Sequence, residues 1–147
     1  MAWVTITEAM VKGAMSSPEL DAINLAAIAG GQDPLAYITA TAVQEARAHI
    51  ADCASNALAE GETVPERCIH HILAIIRFRM LTRIDVEVSE DRRTEYRSAQ
   101  RFFERVAECK VGIEAPEGAT EASGSQPSME TLSSRTRVAT RDSLKGL

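Results

Sequence analysis

The stretch from Pro65 to Leu81, "PERCIHHILAIIRFRML", constrains the fold more than any other part of the chain. Wound into a helix, it carries apolar residues nearly all the way round: Cys68, Ile69, Ile72, Leu73, Ile75, Ile76, Phe78, Met80 and Leu81. A helix without a polar face must be covered on most of its sides. We therefore predict a helix that opens at Pro65 and lies at the centre of a bundle. Its polar residues should point outward at its far end (Arg77, Arg79, Arg83) or lie at its flank (His70, His71).

Four further segments have the periodicity and the capping residues of helices. We expect a short helix over 7–15 capped by Thr7, and a second that starts with "SSPEL" at Ser17 and stops at Gly30-Gly31. A long amphipathic helix is expected over 35–60, and a charged helix after the cap residue Ser89. The buried stripe of the last helix should be Tyr96, Ala99, Phe102, Phe103, Val106 and Ala107.

The amino-acid composition also favours a helical fold. The chain has 147 residues, of which 45% are hydrophobic but only 4% aromatic, and alanine is abundant. A β-sandwich would contain more β-branched and aromatic residues. The predicted fold is all-α, a small bundle of about four helices over 1–113 with a long extended C-terminal arm over 114–147.

The cysteines and histidines are the residues of the chain that could form a chemical site. Three widely spaced cysteines without a CxxC pair predict reduced thiols rather than a disulfide framework. His49, Cys53, Cys68 and His71 could meet on two antiparallel helices, but their spacing matches no recognised zinc motif. A Cys–His nucleophile would lack an orienting group and an oxyanion hole, and no nucleotide-binding glycine motif is present. We therefore predict no catalytic, cofactor or metal site, and small core cysteines with packed or surface histidines.

Charge and hydropathy exclude other classes. The net charge of −5 and the pI near 5.2 disfavour a general nucleic-acid binder. The N-terminus "MAWVTITEAM" lacks the features of a signal peptide, and no apolar run reaches the roughly 18 residues of a membrane span. The sequence thus predicts a cytosolic protein without a membrane partner.

The C-terminal segment has two interpretations. It is rich in Ser, Thr, Gly, Glu and Ala and has too little apolar surface to order itself. Its tip is basic, so it is either a solvated tail or an arm that orders on an acidic partner surface. Trp3, the only tryptophan, either packs on the core or contacts a neighbour. The predicted partner-binding residues are Trp3, Arg135, Arg137, Arg141 and Lys145.

Residues 1–113 resemble a family of small helical head–tail connector, or neck, proteins of Mu-like phages and prophages. The resemblance lies in "TITEAM", in "AVQEARAHIADCASNALAEGETVP", in "CIHHILAIIRFRML" and in "RTEYRSAQRFFERVAECKVGI". These motifs are packing patterns, and their order, lengths and register agree over about three quarters of the chain.

The resemblance implies a structural virion protein that forms a ring, plausibly a dodecamer, between the portal protein and the next neck or tail protein. Such a ring is assembled in the host cytoplasm, helps to complete the head and passes DNA through its channel without specific binding. An acidic total charge suits a channel that does not grip DNA. Two alternatives remain open: a small cytosolic helical regulator or adaptor that binds a partner through its C-terminal tail, and an enzyme that uses the Cys/His cluster.

Overall fold

The computed structural model describes residues 2–30 and 34–118. Over these residues the chain is a helical bundle with one small antiparallel sheet, which confirms the all-α prediction. The strands are β1 (Trp3–Thr5) and β2 (Thr63–Pro65), and the helices are α1 (Glu8–Gly13), α2 (Ser17–Gly30), α3 (Leu35–Asp52), α4 (Ile69–Arg83) and α5 (Glu90–Ala107).

Helix α4 is the central helix, as its all-round apolar character predicts. It contacts each of the other four helices described, and it buries Ile72, Ala74, Ile75, Ile76, Arg77, Met80 and Leu81. Full burial of one isoleucine side chain contributes about 1.5–3 kcal/mol, so this helix carries a large share of the hydrophobic stabilisation. None of the described helices is long and apolar enough to cross a membrane.

Helix α5 follows the prediction closely. Its N-cap is Ser89, whose hydroxyl accepts a hydrogen bond from the Arg92 amide at 3.4 Å. Ala99, Phe103 and Val106 are buried, while Tyr96 and Phe102 pack against the core with part of their surface exposed. The charged residues between these positions face outward, which gives the helix one apolar and one solvated side.

The two N-terminal helices begin with side-chain caps. The Thr7 hydroxyl accepts from the Met10 amide at the start of α1, as predicted. At the start of α2 the cap is shifted by one residue from the prediction. The Glu19 carboxylate accepts the Ser16 amide at 2.7 Å, and the Ser16 carbonyl accepts from Leu20. Ser16 rather than Ser17 is therefore the capping residue, paired with Glu19 in the manner of a capping box.

Helix α3 ends at Asp52, eight residues before the predicted end, and the prediction of a helix to 60 is wrong. Cys53 is extended, with φ −90° and ψ 109°. The Asn56 side chain then donates to the Ile50 carbonyl at 3.2 Å and closes the helix end. Alanines at 54, 57 and 59 continue the helical spacing in sequence, but this local competition for the last carbonyls ends the helix.

The small sheet was not predicted. Strands β1 and β2 pair antiparallel, with Trp3 opposite Pro65 and Val4 opposite Val64. Pro65 therefore ends a strand instead of opening the central helix. A single 3₁₀ turn over Glu66–Cys68 follows, and α4 begins at Ile69. The fixed φ of proline suits the end of an edge strand as well as a first helical turn, so the residue alone does not distinguish the two.

Candidate interaction surfaces

Trp3 lies where the C-terminal segment leaves the bundle. Its indole Nε1–H donates to the Glu114 carbonyl at 3.2 Å, and the Arg47 guanidinium lies 6.0 Å from its ring centroid. Arg47 is itself fixed because it donates to the carbonyls of Thr63 and Ala59. Trp3 is partly buried against the core. Its role in partner binding stays a prediction, now placed beside the start of the predicted arm.

Residues 111–114 are held by side chains from separate parts of the fold. Arg67 donates to the Gly112 carbonyl at 2.7 Å, and the Asn56 Oδ1 accepts from the Ile113 amide at 3.3 Å. The side chains of Val111 and Ile113 pack against the core. The folded part of the chain therefore continues past the end of α5. The predicted partner-binding residues Arg135, Arg137, Arg141 and Lys145 lie outside the described residues.

A disulfide joins Cys53 to Cys109, with 5.3 Å between their Cα atoms. The prediction of three reduced thiols is wrong for this pair. The two cysteines follow the C-terminal ends of α3 and α5, which the fold brings together. Because they are 56 residues apart in sequence, only the tertiary arrangement shows that they can be bridged.

The remaining members of the Cys/His cluster are packed groups. Cys68 is buried, and burial raises the pKa of its thiol to about 11. The His71 ring stacks on Phe102 with 4.0 Å between centroids, and the His49 ring stacks on Phe103 at 6.1 Å. Burial, followed by the nearby charges of His70 and Arg67, lowers the pKa of His71. Within residues 2–30 and 34–118, no group of three or more His, Cys, Asp or Glu residues is arranged to hold a metal ion.

Arg77 is buried, and the prediction that it reaches outward is wrong. Its exposed fraction is 7%, and its guanidinium donates to the Ala14 carbonyl and to the Glu95 carboxylate. The last turns of α4 lie under α1, so a long side chain at this position can satisfy a helix-end carbonyl. Arg79 is paired with Glu45 on α3, and Arg83 is exposed as predicted.

Around Arg77 the charges form a network that spans three helices. Arg92 Nε lies 3.0 Å from Glu19 Oε1, and Arg92 Nη1 lies 3.2 Å from Glu95 Oε2. Burial alone would raise the pKa of Glu19, but hydrogen bonds from Ser16 and Arg92 outweigh it and lower that pKa. The network therefore fixes the start of α2 to α4 and α5 through directional bonds rather than through apolar area.

Grooves that the sequence did not predict border the C-terminal half of α4, and two of them matter for function. The α4–α5 groove has a cavity volume of about 660 Å³ and a stacked Phe78–Tyr96 pair, with 4.1 Å between ring centroids. The rest of its lining is Thr82, Asp85, Val86, Glu87, Val88, Arg93, Arg97 and Gln100. Four of the lining residues, Asp85, Val86, Glu87 and Val88, come from "IDVEV", and the alternation of apolar and acidic residues there was the available sequence signal.

The α2 groove lies between α2 and the end of α4 and has a cavity volume of about 270 Å³. It is lined by Ile23, Ala26, Ala27, Pro34, Met80, Arg83 and Ile84. Large apolar side chains are also exposed on α2 and α3: Leu25 is 74% exposed and Tyr37 is 72% exposed. This part of the molecule therefore offers apolar surface that the described residues leave uncovered.

No protein-family model, no curated protein and no solved structure matches the chain.

Proposed function

We propose that the chain is a structural, non-enzymatic virion protein, a head–tail connector that forms a ring between portal and tail. Its first partners are copies of the chain, twelve in number if the connector resemblance holds for the ring size. Its other partners are the portal and the next neck or tail protein. The proposal joins the resemblance of residues 1–113 to one feature of the fold, the uncovered apolar surface beside α2.

We use the name α2 surface for the α2 groove together with the exposed side chains of Leu25 and Tyr37, and this surface supports a contact between copies. Leu25 is 74% exposed and Tyr37 is 72% exposed, and Ile23, Ala26 and Ala27 of α2 line the α2 groove. Large apolar side chains left exposed in this way favour a contact with another protein. When one face of a protomer meets a different face of the next, the contact repeats and closes into a ring if the rotation allows.

The position of the C-terminal segment supports the second part of the proposal. Residues 111–114 are fixed beside Trp3, so the remaining residues start from a defined point of each subunit. In a ring, a segment starting there can reach a neighbouring subunit or the next protein of the neck. Its basic tip, with Arg135, Arg137, Arg141 and Lys145, suits an acidic surface.

The deciding experiment is quantitative mass spectrometry of particles purified from the phage or induced prophage that encodes the chain, scaled to the major capsid protein. About a dozen copies per particle are expected from the connector resemblance. Native mass spectrometry of the purified chain complements it by giving the ring size. Absence of the chain from particles would overturn the proposal.

A small cytosolic adaptor is the second candidate, and the α4–α5 groove favours it. The groove combines an aromatic pair, Phe78 and Tyr96, with charged side chains of both signs, among them Glu87 and Arg93. Grooves that combine apolar and polar side chains accept peptide segments. Copurification with one host protein, with no copies in particles, would support this function and would be lost in a Phe78→Ser variant if the groove holds the partner.

A further inference from the structure

The end of α5 places a cysteine where glycine is the favoured residue. Cys109 has φ 58°, its amide donates to the Val106 carbonyl, and the Lys110 amide donates to the Arg105 carbonyl at 2.9 Å. These two bonds form a Schellman motif, in which the left-handed position is usually glycine because a Cβ is unfavourable there. Glycine would suit the backbone better, and what cysteine adds is the sulfur that bonds to Cys53.

The disulfide lies directly before the contacts that hold the C-terminal segment. Gly112, Ile113 and Glu114 are bound, respectively, by Arg67, Asn56 and Trp3. Asn56 itself lies three residues after Cys53, and its amide donates to the Cys53 carbonyl at 2.9 Å. One covalent bond therefore fixes both the turn that carries Asn56 and the segment that Asn56 binds.

The two cysteine residues differ in their exposure to solvent. Cys109 is an exposed residue, whereas Cys53 has an exposed fraction of 1%. The Ser55 hydroxyl lies 3.0 Å from Cys53 Sγ, and in the disulfide state only the hydroxyl can donate. We therefore expect an incoming thiolate to attack at the exposed residue, Cys109, while the hydroxyl stabilises Cys53 as the departing thiolate.

The third cysteine, Cys68, is poorly suited to attack the Cys53–Cys109 disulfide. Cys68 is buried, with its pKa raised to about 11, so it is a protonated thiol at neutral pH. The thiolate is the form that attacks a disulfide. Exchange within the chain through Cys68 is therefore disfavoured, and the bond responds to thiols from outside.

We propose that Cys109 Sγ is a site of thiol–disulfide exchange with a small-molecule thiol, and that the Cys53–Cys109 bond is a redox-controlled clasp for residues 110–114. A thiolate bonds to Cys109 Sγ, the S–S bond breaks, and Cys53 leaves as a thiolate and takes up a proton. A second thiolate attacks the external sulfur of the mixed disulfide and frees the Cys109 thiol. Two small thiols are oxidised to one disulfide, and the protein disulfide is reduced to two thiols.

A role in assembly follows and rests on the proposed function. A reducing cytoplasm keeps cysteines in the thiol form. Residues 110–114 would therefore be released while the subunits assemble with each other and with the neighbouring neck proteins. After the particle leaves the cell, exchange with a small-molecule disulfide, which is reduced to two thiols, would then close the clasp around the final arrangement.

The test of the clasp uses the purified full chain and needs no particles, so its outcome is separate from that of the connector proposal. The chain is equilibrated with reduced or oxidised glutathione, and thiols are then counted after denaturation. One thiol per oxidised chain is expected because Cys68 alone remains free. Three thiols after equilibration with oxidised glutathione would overturn the proposal.

Hydrogen exchange measures the clasp itself. Reduction should speed amide exchange at residues 110–114 by about tenfold or more. It should also shift the fluorescence of Trp3, the only tryptophan, because its N–H bonds to Glu114. Unchanged exchange and fluorescence on reduction would overturn the clasp.

Matched variants separate the clasp from general destabilisation. Cys109→Gly keeps the left-handed backbone without strain, so it should fold and show the released pattern in both redox states. Cys68→Ala keeps the disulfide and should respond to reduction as the unmodified chain does. Ser55→Ala should slow reduction about fivefold, the equivalent of one net hydrogen bond in the transition state. A Cys109→Gly variant that still responds to glutathione would contradict the assignment.

Discussion

Helices α2 and α4 are both rich in apolar residues, but they differ in how much of their surface is buried. Helix α4 contacts the other four described helices, and Ile72 and Ile76 have no exposed surface. Helix α2 packs on α4 with one side, is tied to α5 by the Glu19–Arg92 pair, and leaves Leu25 74% exposed. Apolar composition alone therefore does not decide whether a helix is buried.

The difference lies in how each helix is attached. Helix α4 is held by close packing, which is non-directional and scales with buried area. Helix α2 is held at its start by charged hydrogen bonds, which fix its position while covering little apolar surface. The comparison indicates that α4 determines whether the chain folds, and that α2 is available for contact with another molecule.

The largest expected effect is on the packed helix. Ile72→Asp places a charge at a position with no exposed surface, so we expect a loss of about 4 kcal/mol or more and a chain that no longer melts cooperatively. Circular dichroism during urea unfolding measures this loss. His70→Asp, two residues earlier on the exposed side of α4, is the control and should cost far less. A fully helical Ile72→Asp protein would show that the core assignment is wrong.

The next effect is on the attachment of the N-terminal helices. Arg77→Ala removes the bonds to Ala14 and Glu95, and we expect a loss of about 2–3 kcal/mol. Hydrogen exchange should speed up in α1 and α2 before it does so in α5. Arg79→Ala removes only the more exposed pair with Glu45 and should cost about 0.5 kcal/mol or less. Equal losses in the two variants would contradict the directional attachment.

A smaller effect is the dependence of stability on pH. Because the pKa of His71 is lowered from 6.5 in the folded chain, the unfolded chain binds the proton more tightly. The His71 contribution is therefore complete above 6.5 and is lost as the pH falls through the lowered value. Urea unfolding between about pH 8 and about pH 5 measures it, a range above the window of Glu19.

The histidine variants assign this pH dependence. His71→Phe preserves a ring against Phe102 and should flatten the curve, whereas His70→Asn removes only a cause smaller than burial and should leave most of the pH dependence in place. A curve that stays equally steep in His71→Phe would rule out His71 as its source.

The smallest effect on stability should accompany the largest effect on assembly. Leu25→Ser and Tyr37→Ser change exposed side chains, so each should alter the free energy of unfolding by about 0.5 kcal/mol or less. Both should weaken the ring measured by native mass spectrometry, while Gln44→Ser, an exposed polar position on α3, should not. Unchanged rings in both variants would remove the α2 surface from the proposed contact.

Local signals in the sequence predicted much of the fold. Periodicity and capping residues located the five helices of the described part of the chain, and the caps at Thr7 and Ser89 were correct to the residue. One error has a local cause and the other a distant one. The alanines after Asp52 continue a helical spacing, but the Asn56 side chain binds the Ile50 carbonyl and ends α3. Pro65 pairs with Trp3 in a strand, a contact that neighbouring residues do not show.

The candidate surfaces were less predictable for the same reason. The burial of Arg77 depends on a carbonyl of α1 that lies 63 residues away in sequence, and the disulfide depends on two helix ends that meet only in three dimensions. A cysteine just after the charged helix α5 was the available signal, but its spacing from Cys53 carried no information about distance.

The hydrogen bond between Trp3 and Glu114 brings the first strand of the folded domain next to the segment that follows its last helix. A domain with this topology tolerates having its ends joined and new ends opened elsewhere. A circularly permuted chain, cut in the connection between α4 and α5, should keep the bundle intact. The same geometry allows the domain to be inserted as a unit into a surface loop of another protein.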